Sequence, residues 1–285
     1  LALVEGGSAG SFVVKLKTSP LGGVSLSIGG SMDALSRLTL GPSVLTFDSD
    51  NWNVGQSVSV QAHTNSIAEE SVLSYDVLVG VVAVNTSDEA YSGLGSDALS
   101  RVAVSVTNID EAGVIVSKGE VEVNEGSLSS GTYTIVLSSG PSSAVVVSLS
   151  GSGIGSLCAV SPSTLTFDVS NWSVAQTVTV TALHDNVYHG SASSSFVLHH
   201  SVSSSASLYN GLSVSDVSVV VVESDAVGVV WDYDSEATTF VKVAGSWMTV
   251  GVSLSSKPVG AVVVSSSSVP SGEVIVTPSV LTIES

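Results

Sequence analysis

The chain has 285 residues and carries 7 Lys and Arg against 25 Asp and Glu, a formal net charge of -18, with charged residues at only 11%. That balance excludes a nucleic-acid partner, whose phosphates need clustered basic side chains, and a hydrophobic fraction of 44% excludes a disordered chain. Ser and Val number 60 and 54 and glycine 27, the composition of short strands with polar outer faces and tight turns, so all-β structure is predicted.

In chain order, the first strand signal runs from Ser11 to Leu16, with Phe12, Val14 and Leu16 on one face and Lys15 and Lys17 between and after them. Leu45-Thr-Phe47 follows and leads through Asp48 to Asn51-Trp52; then Val58, Val60 and Ala62 alternate with Ser57, Ser59 and Gln61. Val102, Val104 and Val106 close the set, and NIDEAGV at 108–114 forms a short acidic hinge. The order then begins again. LTFDSDNW at 45–52 returns as LTFDVSNW at 165–172, an offset of 120, and NVGQSVSVQA at 53–62 returns as SVAQTVTVTA at 173–182. AYSGL at 90–94 is matched by LYNGL at 208–212, and Tyr133, Ile135 and Leu137 align with Phe12, Val14 and Leu16. After a second hinge, ESDAVGV at 223–229, SLSSKPVGAVVVS at 253–265 echoes VLSSGPSSAVVVS at 136–148, and VTPSVLTIES at 276–285 echoes VSPSTLTFDV at 160–169.

The expected organisation is therefore repeat 1 over residues 1–112, repeat 2 over 113–227 and a partial repeat 3 over 228–285, a window onto a longer array. Each repeat is long enough to hold its own core. Regularly spaced strands separated by turn tokens predict two-sheet sandwiches, and no segment shows a helical period. Neither an apolar run of about 18 residues for a membrane span nor the basic start and apolar stretch of a signal peptide is present in the sequence.

The opening Val4-Glu5-Gly6, the looser Val123 to Gly126, the Leu-Thr-Phe strand running to Asn-Trp and the Asp-containing closure together resemble the Calx-beta-like, immunoglobulin-like sandwich repeats of large extracellular and surface proteins. The resemblance spans nearly the whole chain. It implies tandem antiparallel sandwiches in an extended rod, an architectural role outside the cell and, in some members, calcium at one end of the sandwich. Carried over by residue, that end comprises Glu5, Asn65, Glu69, Glu70, Asp110 and Glu111 in repeat 1 and Glu125, Asp185, Glu223 and Asp225 in repeat 2. The family's loop carries adjacent acids where this chain has Thr64-Asn65 and His184-Asp185, and Val243 stands at the place of Glu5 in repeat 3.

Other motifs have plainer readings. Gly6 to Gly10 fits the nucleophile-elbow pattern around Ser8, but a strand follows it, as one follows the phosphate-loop-like Gly151 to Gly155. His63, His184, His189, His199 and His200 are expected on exposed strands and loops, with His199 and His200 leaving opposite faces of one strand. The carboxylate pair Asp232 and Asp234 reads as solvated acids or a junction calcium site. Cys158, the one cysteine, reads as a buried hydrophobe or an inter-chain disulfide, and the recurring Trp52 and Trp172 as lids over the sandwich edge or stacking platforms for carbohydrate. Asn85-Thr86-Ser87 and Asn171-Trp172-Ser173 are N-glycosylation acceptors, and SVSSSAS at 201–207 could carry O-linked sugar. The expected function is a non-catalytic segment of an extracellular filament, appendage or stalk, with neighbouring copies or adjacent repeats as partners, joined by strand addition along open edges. No cofactor is required by that reading. The alternative is an adhesive or calcium-regulated module meeting carbohydrate or a cell surface.

Overall fold

A computed structural model describes residues 1–82, 87–94, 100–127, 129–232, 249–267 and 275–285. The strands fall into three groups that follow the sequence repeat. The first holds β1 (Ala2–Val4), β2 (Gly10–Val14), β3 (Val24–Gly30), β4 (Leu38–Gly41), β5 (Val44–Phe47), β6 (Gln56–Ala62), β7 (Val72–Val81) and β8 (Ser100–Thr107). One of its sheets runs β1-β8-β7-β3-β5 and the other β2-β6-β4. The second group holds β9 (Val114–Val116), β10 (Glu120–Asn124), β11 (Ser130–Leu137), β12 (Val145–Ser150), β13 (Cys158–Ser161), β14 (Thr164–Phe167), β15 (Gln176–Ala182), β16 (Ser193–Ser204) and β17 (Val217–Val222). Its sheets, β10-β17-β16-β12-β14 and β13-β15-β11-β9, repeat the first pair strand for strand, with β9 added. In the third group β18 (Val229–Asp232) pairs with β19 (Gly251–Leu254) and β20 (Val262–Ser265) with β21 (Val280–Ile283). The pairs β1–β8 and β10–β17 are parallel.

Alternation builds each core. Val58 and Val60 in β6, and Val178 and Val180 in β15, are all 0% exposed, and each such side chain contributes about 1.5–3 kcal/mol by leaving water. Phe47 and Phe167 close the two cores from equivalent places, with Val77 and Val104 in one and Leu198 and Val219 in the other. Cys158 sits opposite Ala182 as Leu38 sits opposite Ala62, and it is fully buried. Trp52 and Trp172 pack half-buried against their cores.

Among the described residues two short helices stand where the sequence shows no helical period. α1 (Met32–Arg37) starts at Ser31, whose hydroxyl accepts the Ala34 amide at 3.1 Å, and α2 (Glu89–Ser92) starts at Asp88, whose carboxylate accepts the Ala90 and Tyr91 amides. Such turns are stabilised by their caps, and they are too short to display a period.

The two full sandwiches differ at one edge. β9 lies antiparallel on β11, whereas the equivalent edge of β2 carries no strand among the described residues. Tyr133 and Ile135 on β11 are buried, while Phe12 and Val14 on β2 are half-exposed and line a cavity of about 650 Å³ with Leu26, Val81, Tyr91 and Val102.

Neighbouring repeats meet through one set of bonds used twice. Just beyond each boundary the Ser138 amide donates to the Gly113 carbonyl within repeat 2 and the Ser255 amide to the Gly228 carbonyl within repeat 3, both at 3.0 Å. The Ser138 hydroxyl reaches the Glu111 carbonyl and the Ser255 hydroxyl the Ala226 carbonyl. Across each joint the Gly140 amide donates to the Ser66 carbonyl and the Lys257 amide to the Asn186 carbonyl. Ala68, from the first sandwich, packs into the core cluster of the second.

Candidate cation site at the repeat junction

At the end of each full sandwich a buried glutamate follows the parallel edge strand. Glu5 and Glu125 are each 4% exposed. The Oε1 of Glu5 accepts the Asn65 amide at 2.6 Å, and that of Glu125 the Asp185 amide at 3.1 Å, so the loop after β6 or β15 is tied to the strand before it. The hinge supplies the third member. Asp110 and Asp225 stand at matching positions, and in both the Oδ2 atom is buried without a hydrogen-bond partner. The twofold occurrence of the same bare oxygen marks it as part of the repeat's design.

The two ends diverge in their remaining charges. In repeat 1 the Arg37 guanidinium grips Glu69 through both carboxylate oxygens, at 2.6 and 3.1 Å, so a cation is built in. Burial, then the charges of Glu5 and Glu69, push the Asp110 carboxyl up. In repeat 2 the place of Thr64 is taken by His184, whose Nδ1 lies 3.6 Å from Glu125 Oε1 and 3.8 Å from Asp225 Oδ2. The place of Glu69 is taken by His189, 3.0 Å from Glu223 and 3.6 Å from Asp185. Burial and a hydrogen bond to Glu223 raise the Glu125 carboxyl above the usual range. Burial opposes ionisation of Glu223, but the bond from Glu125 and the amides of Asp225 and His189 outweigh it and lower its carboxyl. The bond to Glu223 raises the His189 imidazole.

Of the expected ligands, then, Glu5 is buried and Asp110 half-buried at one end, and Glu125, Asp185 and Asp225 gather at the other. Glu111 is exposed, and it enters the joint through its carbonyl, which accepts the Ser138 and Ser139 hydroxyls at 2.7 Å. Glu70 is exposed. Arg37 and the two loop histidines were not among the residues picked out from the repeat. Arg37 lies on α1, which has no counterpart in repeat 2, and histidines in a loop carry no periodic signal.

The other sequence candidates fall as follows. Ser8 lies exposed in the turn between β1 and β2, and Gly151 to Gly155 form the turn before β13. Asp232 ends β18; Asn85, Asp234 and Val243 lie outside the described residues. Asn171 Oδ1 accepts the Asp168 amide at 2.7 Å, and Asn51 does the same to Asp48 at 2.8 Å. The side-chain nitrogens of both reach the Thr166 and Thr46 carbonyls, so the asparagine recurs because it closes this turn. His200 corrects the expectation of exposed histidines. Phe196, Leu198, His200 and Val202 share the inner face of β16, and His200 is 8% exposed with Nε2 2.9 Å from the Tyr133 hydroxyl. His199, on the outer face, pairs with Asp216 at 3.1 Å. Among the described residues no helix is long and apolar enough to cross a membrane.

No family model and no curated protein matches the chain. Solved structures similar to it include the calcium binding domain CBD12 of CALX1.1, 16% identical over 76% of this chain and 95% of that one, TM-score 0.34. The D0-D1 domain of intimin is 15% identical over 77% and 92%, TM-score 0.23. Domains 4 and 5 of the S-layer protein SbsC are 15% identical over 70% of each chain, TM-score 0.26.

Proposed function

We propose that the chain is a non-catalytic structural segment of an extracellular filament, appendage or cell-surface stalk, made of sandwich repeats at 1–112, 113–227 and 228–285. The observation that carries this reading is the joint: the same amide, hydroxyl and carbonyl positions bond across both boundaries. A repeated joint gives a repeated step, which is what a shaft requires. Surface and adhesion-type domains among the similar structures fit the same picture, as does an acidic, serine-rich exterior. Strand addition between subunits is part of the proposal: the free edge of β2 would take an apolar strand as β11 takes β9. A synthetic peptide of residues 112–118 is expected to bind repeat 1 and protect the β2 amides from hydrogen exchange. Electron microscopy of the native material is expected to show ordered fibres or beads at constant spacing. Beads joined at freely varying angles, with no protection of the Gly140 and Lys257 amides, would sink the reading. Sugars on Asn85, Asn171 or the serine tract belong to it as well, and intact mass of the native material measures them.

A second reading, an adhesive or calcium-regulated binding module, is favoured by the bare oxygens of Asp110 and Asp225 at the joints. Calcium restored after chelation would then raise the melting temperature; an unchanged midpoint would dismiss it.

A further inference from the structure

We propose that the joint between the second and third repeats binds a divalent transition ion of the zinc class through Glu125, His184 and Asp225. Their donor atoms lie within 4.8 Å of one another. The separations of 3.6 and 3.8 Å from His184 Nδ1 to the two carboxylate oxygens are too long for hydrogen bonds. They come close to the ~3.4 Å between two ligands of a tetrahedral ion held at about 2.0–2.1 Å from each.

Two further observations point to a ligand. The Asp225 side chain is 9% exposed and its Oδ2 has no partner. A buried carboxylate oxygen left bare is costly, and here the groups surrounding it are the other two ligands. The cluster is also short of positive charge: among the described residues the ion-pair partners of Glu125, Asp185, Glu223 and Asp225 are the imidazoles of His184 and His189, whereas the first repeat has Arg37 in its corresponding end.

Calcium is a poor match for this donor set. It takes six to eight oxygens, and here an imidazole nitrogen stands between the two buried carboxylates, a donor suited to zinc, copper or nickel. Three protein ligands leave a fourth position for water. The His184 side chain, 37% exposed, lies on the entry side. His189 orients the surroundings by holding Glu223 and Asp185. The ligands come from the end of β10, the loop after β15 and the hinge after β17, so a bound ion pins the hinge to the body of repeat 2. It also fixes the loop whose Asn186 carbonyl receives the Lys257 amide.

The test uses the full chain, stripped with a chelator and titrated separately with zinc and calcium chloride, read by thermal unfolding. Cobalt(II) provides an optical probe of the same site. Zinc at about a hundredfold over its Kd is expected to raise the repeat 2 midpoint by roughly 10 °C, and cobalt to give the intense visible bands of a tetrahedral centre. His184→Thr places the residue that repeat 1 carries there, Thr64, and should keep the fold while losing both responses. Asp225→Asn, nearly isosteric, should lose them too. A shift with calcium but none with zinc, no shift with either, or a zinc shift that survives in both variants would each overturn the assignment. None of those results would touch the repeated joint on which the structural reading stands.

Discussion

Tyr209 and Tyr91 hold the same place in the two full repeats, yet their hydroxyls do different work. Tyr209 is 0% exposed; its hydroxyl donates to the Ser139 carbonyl at 2.5 Å and lies 3.0 Å from the Ser139 hydroxyl, which itself donates to the Glu111 carbonyl at 2.7 Å. Tyr91 donates to the Thr18 carbonyl at 2.8 Å, but at an exposed site. Tyr209→Phe removes the donor from a buried carbonyl where water has no access, a loss of about 1–3 kcal/mol. For a sandwich of this size a loss near 2 kcal/mol corresponds to roughly 8–10 °C in melting temperature. Tyr91→Phe lets water replace the lost donor and should cost under about 0.5 kcal/mol. Native-state hydrogen exchange read by peptide separates the repeats: protection should fall in β11 and β15 for the first variant and stay unchanged in β2 and β6 for the second. A cycle with Ser139→Ala should return coupling of about 0.5 kcal/mol or more. Equal losses in the two variants, or none at Tyr209, would refute the idea that burial of this bond ties the repeat 2 core to the joint.

Further outcomes follow from other sites. At Gly153 an added Cβ would lie 2.3 Å from Phe196 Cδ1, so Gly153→Ala should cost about 1–3 kcal/mol in urea unfolding, while Gly119→Ala, with nothing within 4 Å, should show no such overpacking. Burial lowers the His200 imidazole below its ordinary 6.5. The unfolded chain then binds a proton that the folded chain refuses, so this contribution is full above pH 6.5 and is lost as pH falls toward the lowered folded value. His189, raised by its bond to Glu223, acts in the opposite sense, stabilising at low pH and losing that effect as pH rises. The difference between wild type and His200→Gln, measured from pH 7.5 to 5, should isolate the first effect; parallel curves would exclude it. The Cys158 thiol is pushed up to about 11 by burial, so a maleimide should label it only after unfolding.

The sandwich was legible because its sequence period is its packing period. Val58 and Val60, like Val178 and Val180, alternate with Ser or Thr, and all four turned out fully buried. The burial of His200 could have been read the same way, since it continues the inward run Phe196, Leu198 of one strand. The different exposure of Phe12 and Tyr133 could not, because the two occupy the same inward position of the same alternation. The junction cluster was half legible. Matching Glu5 to Glu125 and Asp110 to Asp225 located the acids, but Glu125, His184 and Asp225 are brought together by chain closure across two sheets. Only the coordinates showed that a histidine stands between two carboxylates. Asn171 carries two signals at once: a glycosylation triplet, and the turn-closing asparagine that Asn51 repeats in the first sandwich.

The bonds that recur at both joints use main-chain N–H and C=O groups and one small hydroxyl, at Ser138 or Ser255. Main-chain bonds of this kind do not read the identity of the side chains on either side of them. Repeats could be duplicated, lost or allowed to drift in sequence, and each newcomer would still dock onto its neighbour. Glycine at position 140 and lysine at 257 already present the same amide to the preceding repeat. Length and surface chemistry are thereby uncoupled: selection can lengthen the chain or repaint its exterior without relearning how one unit follows the next.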